Sequence, residues 1–85
     1  MTNQGMLTLV KMRGWRLRST SNYMNKGGAR LWYVTDENGE AVVSPRYSRN
    51  VALLWAVALI TNNTDRQQHL AWLDKYEGWK HESIS

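Results

Sequence analysis

The order of apolar and polar positions along the chain predicts sheet first and helix after. From Leu7 to Ser19 the positions alternate: Val10 and Met12 are apolar against Lys11 and Arg13, then Trp15 and Leu17 against Arg16 and Arg18. Alternation of this kind marks a half-buried strand. Its phase slips at Arg13-Gly14, and a β-bulge at Gly14 restores it, because a bulge inserts one residue and accepts glycine in a left-handed conformation. On that reading Val10, Met12, Trp15 and Leu17 face a core, and Lys11, Arg13, Arg16 and Arg18 line the opposite face. A competing reading makes Met6–Met12 a short helical turn and starts the strand at Trp15. Both leave Trp15–Arg18 a strand with outward Arg16 and Arg18.

Ser19–Gly28, rich in Ser, Asn and Gly, reads as a loop. Arg30–Thr35 is dense in aromatic and β-branched residues and predicts a strand. Asp36-Glu37-Asn38-Gly39 supplies turn chemistry, and Glu40–Ser44 returns as the partner strand of a hairpin. Ser44-Pro45 and Ser48 both carry helix-start chemistry, and the helix they open runs to about Thr61, where Asn62-Asn63 stops it. Val51–Ile60 is apolar all the way round, so it must be packed on the sheet on one side and covered on another. Thr64-Asp65-Arg66-Gln67 fits a capping box with Thr64 at the cap. It opens a second helix over about 65–77, with Leu70, Leu73, Trp72 and Tyr76 as its apolar stripe and Gly78 as its stop. The expected fold class is α+β, a three-stranded antiparallel sheet followed by two C-terminal helices.

Length confines this to a single small domain over residues 1–85, with 1–5 and 81–85 expected to be flexible. A chain of this size buries only about 60% of its unfolded surface, so the core is modest. There is no Cys and there are two His, which leaves no disulfide and no structural zinc site to reinforce it. The start of the chain lacks a basic stretch followed by an apolar one, so a cytoplasmic location is expected. Val51–Ile60 falls well short of the roughly 20 apolar residues a membrane span needs. Five Trp and four Tyr with no Phe are an unusual aromatic set. Each has an apolar body and a polar tip, which suits a binding surface as well as a core.

Charge sharpens the picture. Residues 1–49 hold eight basic groups against three acids, a net of +5, whereas residues 50–85 hold three against four, a net of −1. Such asymmetry predicts one basic face and one near-neutral face. Most of the N-terminal basic groups are Arg, whose planar fork suits phosphate and carboxylate.

Groups arranged for catalysis are sparse. His69 follows Asp65 by four residues on one helix, a spacing that orients an imidazole but is common on solvated helix surfaces. His81-Glu82 falls in the expected loose end. No nucleophile elbow, zinc spacing or phosphate-binding glycine loop is present, and Lys26-Gly27-Gly28 does not make one. Asn62-Asn63-Thr64 has the form of a glycosylation sequon and serves here as helix-end punctuation. The sequence points to a non-enzymatic binding protein with no cofactor and no metal.

The basic strand is the most suggestive feature. Arg16 and Arg18, Arg30 on the neighbouring strand, Lys11 and Arg13 beyond the bulge, and Lys26 in the loop are candidate nucleic-acid-binding groups. A ribbon of strands fits a major groove, with Arg reading guanine and its neighbours holding phosphates. Trp32 joins them as a residue able to stack on a base, although Leu31 to Val34 is apolar on both faces and leaves its side open. Leu31-Trp32-Tyr33-Val34-Thr35-Asp36-Glu37-Asn38-Gly39-Glu40 leading into the helix Val51–Leu59 resembles the three-stranded-sheet-plus-helix DNA-binding domains of the plant AP2 type and the arm-binding domains of tyrosine integrases. The resemblance covers about half the chain and implies a sheet laid in the major groove, with Arg16, Arg18, Arg30 and Trp32 in the analogous positions. A first helix so apolar, and a second helix after it, depart from that pattern. The rival expectation is a protein-protein interaction module, such as a phage or mobile-element accessory protein that inhibits or adapts a host protein, with Trp55, Trp72 and Trp79 at its interface. A homodimer covering the apolar helix is a further expected partner arrangement.

Overall fold

The computed structural model of the chain describes residues 2–21 and 30–84, with side chains for 2–20 and 30–76. Six elements follow in order: α1 (Asn3–Met12), β1 (Arg16–Ser21), β2 (Arg30–Thr35), β3 (Ala41–Arg46), α2 (Arg49–Thr61) and α3 (Thr64–Ile84). The expected three-stranded antiparallel sheet and two C-terminal helices are present, with a further helix in front of them.

That leading helix overturns the bulged-strand reading of Leu7–Ser19 and agrees with its helical competitor. Thr2 caps α1 by accepting from the Gly5 N–H at 3.0 Å, so residues 3–5, expected to be loose, form its first turn. Met6 and Val10, four apart on one helix face, are buried. Met12, placed in the core by alternation, is instead 80% exposed. Gly14 has φ +89 and ends the helix. The Trp15 N–H donates to the Val10 carbonyl at 3.1 Å and the Gly14 N–H to the Lys11 carbonyl at 2.9 Å, the paired bonds of a Schellman cap.

The sheet order is β1-β2-β3. Asp36 organises the hairpin between β2 and β3: its Oδ1 accepts from the Asn38 N–H at 2.9 Å and the Glu40 N–H at 3.0 Å. Gly39, at φ +87, completes the turn. The register of β3 slips twice against β2, so that Val34 faces Val43 and Trp32 faces Arg46. Ser44 and Pro45 lie in the second irregularity. Pro45 is therefore a residue of an edge strand, where its missing N–H does no harm, and not a helix start. The start belongs to Ser48, whose Oγ accepts from the Val51 N–H at 3.3 Å.

Helix α2 carries two apolar stripes on opposite sides, which is why it reads as apolar all round. Leu53, Ala56 and Val57 join Met6, Val10, Val34 and Val43 in the main core under α1 and the sheet. Val51 and Ala58 join Leu70 of α3 in a second cluster, with Leu54, Trp55 and Leu73 packed against it. Asn62 takes a left-handed conformation at φ +56 to end α2. Asn63 then caps α3, its Oδ1 accepting from the Arg66 N–H at 3.1 Å, one residue ahead of the Thr64 expected from the capping-box pattern. Helix α3 continues through Gly78 to Ile84, past the expected stop at 77. No helix among the described residues is long and apolar enough to cross a membrane.

Candidate nucleic-acid interface

Residues opposite one another in a ladder share a face of the sheet. Leu17 pairs with Val34 and Ser19 with Trp32, and these share a face with Val43 and Arg46 of β3. Helices α1 and α2 pack on that face. On the other face Arg16 pairs with Thr35, Arg18 with Tyr33 and Thr20 with Leu31. Among the described elements no helix lies over it. Arg16, Arg18 and Thr20 of β1 are exposed and Tyr33 is half-buried, while Leu31 and Thr35 of β2 are buried, so the face is exposed chiefly along β1.

The register therefore divides the expected group of binding residues. Arg16 and Arg18 stand together on the open face, joined by Tyr33, which the sequence reading passed over. Arg30 and Trp32 fall on the helix side, where Arg30 Nη1 donates to Ser19 Oγ at 2.9 Å. Lys11 and Arg13 are on no strand: Lys11 lies in the last turn of α1 and Arg13 is its cap. The Arg13 guanidinium sits over the Trp15 ring, 5.9 Å from its centroid. Lys26 and the side chain of Trp79 lie outside the described residues.

On the helix side a groove of about 710 Å³ opens where α1, β1 and the start of α2 meet. Leu7 and Lys11 line it from α1, Arg16 and Leu17 from β1, Trp32 from β2 and Arg49 from α2, with Gly14 and Trp15 at the turn. Arg49 is a second residue the sequence reading missed. It counts towards the basic half of the chain, but only folding brings it beside Lys11 and Trp32. Glu37 Oε2 lies close to Gly14 at the rim, 3.7 Å from where a β-carbon there would be.

The remaining tryptophans differ in kind. Trp55 is half-buried, donating from Nε1 to Asp74 Oδ2 at 2.7 Å, with the Arg46 guanidinium 4.9 Å from its ring centroid. Arg46 also pairs with Asp74, the only ion pair among the described residues. Trp72 is exposed and stacks on Tyr76 with ring centroids 5.8 Å apart. Asp65 and His69 are both exposed on α3. No group of three or more metal-ligating side chains comes together among the described residues. The chain matches no protein-family model, no curated protein and no solved structure.

Proposed function

We propose that this chain is a nucleic-acid-binding module that grips duplex DNA with the open face of its sheet. The observation that carries the reading is the register that sets Arg16 and Arg18 on a face without a helix. Two positions apart on one strand, they stand about 7 Å from each other, spaced to hold neighbouring phosphates or to reach base edges from the major groove. Neither forms an ion pair with a described residue, so neither has to give up a carboxylate to take a phosphate. No acidic residue precedes Asp36 in the chain, so β1 itself carries only positive charge. Tyr33, opposite Arg18, adds an aromatic body with a polar tip.

Fluorescence anisotropy of labelled duplex and single-stranded DNA tests it. Micromolar binding at low salt is expected, and Arg16→Gln/Arg18→Gln should weaken it at least tenfold. Unchanged affinity for every duplex and single strand overturns the reading.

A second reading, docking of a protein partner, is favoured by Trp72 and Tyr76. They are 61% and 49% exposed and stack on each other along α3. Exposed aromatic pairs of this kind anchor protein interfaces. Trp72→Ser/Tyr76→Ser should abolish capture of such a partner and leave the melting temperature within a few degrees. A large drop in melting temperature would make the pair structural instead.

A further inference from the structure

The groove on the helix side meets the open sheet face at Arg16, and its lining has a distinct chemistry. Every charged residue lining it is cationic: Lys11, Arg16 and Arg49. Its walls also bear two indoles, Trp15 and Trp32. A volume of about 710 Å³ lies within the roughly 300–1,000 Å³ of small-molecule sites. An inorganic anion would satisfy the cations and leave the indoles uncovered. An apolar molecule would cover the indoles and strip water from the cations without replacing it, which is unfavourable. A flat aromatic body carrying negative charge meets both demands, since bases stack on indoles and phosphates pair with Lys and Arg.

We propose that this groove binds a nucleoside phosphate, its base lying against Trp15 and Trp32 and its phosphate held by Lys11 and Arg49. Glu37 stands at the Gly14 rim, which directs the phosphate away from it, towards Arg49 in the first turn of α2. The ligand arrives either as a free nucleotide or as one nucleotide of a single strand. Both present the same base and phosphate. The site stands whether or not the open face takes a duplex.

The test uses the whole chain and adenosine 5′-monophosphate, read by indole N–H signals in nuclear magnetic resonance and by tryptophan fluorescence. Saturable shifts of the Trp15 and Trp32 signals are expected, with Trp72 unmoved. Adenosine, lacking the phosphate, should bind at least tenfold more weakly to the unaltered protein, a comparison that needs no variant to fold. Lys11→Gln/Arg49→Gln should lose tenfold or more, whereas Arg66→Gln, on exposed α3, should lose less than twofold. A trinucleotide distinguishes the sources. Tighter binding than the mononucleotide, weakening with salt, assigns the groove to a strand; equal or weaker binding assigns it to free nucleotide. Either supports the site. Absence of Trp15 and Trp32 shifts with both ligands at millimolar concentration overturns it, as does equal affinity for adenosine and its monophosphate. Duplex binding is followed separately by anisotropy with Arg18→Gln, a change on the sheet face that leaves the groove lining intact.

Discussion

Asp74 is reached by two elements at once. Its Oδ2 accepts from Arg46 Nη1 of β3 and from Trp55 Nε1 of α2, so one carboxylate oxygen ties α3 to both. The two charged side chains are only 20% and 16% exposed, so water screens the pair incompletely. Arg46 Nε is already buried without a partner. Removing the carboxylate would leave a half-buried guanidinium and an indole N–H unpaired together. Asp74→Ala is expected to lower stability by about 2–3 kcal/mol, a drop of roughly 10 °C or more in melting temperature for a domain of this size. Urea unfolding checks it, and a loss under about 0.5 kcal/mol would make the pair no more than a surface contact. Gly14 shows how far a single residue can be read from sequence. Its need for a left-handed backbone was legible, but a bulge and a Schellman cap make the same demand. The burial of Met6 and Val10, four residues apart, settles the matter in favour of the cap.

At the scale of elements, α2 is the member on which the others depend. One of its stripes seals the core beneath α1 and the sheet, and the other needs Leu70 and Leu73 of α3. A chain ending at Asn63 should therefore expose Val51, Leu54 and Ala58 and self-associate, as light scattering after size exclusion would show. A folded, monomeric product would mean that α1 and the sheet suffice. The hairpin was legible because Asp36 and Gly39 can be satisfied locally. The need to cover α2 on two sides was legible from its unbroken apolar run. The end of α3 was not, since one glycine inside a helix is unfavourable by only about 1 kcal/mol, too little to stop it. The choice between Thr64 and Asn63 as its cap was closed to sequence too, because both side chains can accept the same kind of bond.

For the whole molecule, the basic half of the sequence becomes a basic region in space, made by the end of α1, β1 and the start of α2. The acids lie in the hairpin turn at Asp36, Glu37 and Glu40, where Glu37 borders this region at Gly14, and on α3. If the open face neutralises phosphates, log K should fall linearly with log salt, and losing Arg16 and Arg18 together should reduce the slope by about 2. An unchanged slope would place the phosphate contacts elsewhere. The outward direction of Arg16 and Arg18 followed from alternation alone. The parting of Arg30 and Trp32 from them did not, because it depends on which residues pair across strands. The groove was hidden for a similar reason: its walls come from segments far apart in the chain.

The irregular course of β3 has a consequence for crowded conditions. Among the described residues the outer strands of the sheet are β1 and β3. Along β3 a proline without an N–H and two breaks in register deny a newcomer a continuous row of partners. Growth of an ordered fibre requires each added copy to offer a fresh edge like the one just consumed. Here one edge is closed, so copies joining strand to strand stop at a pair.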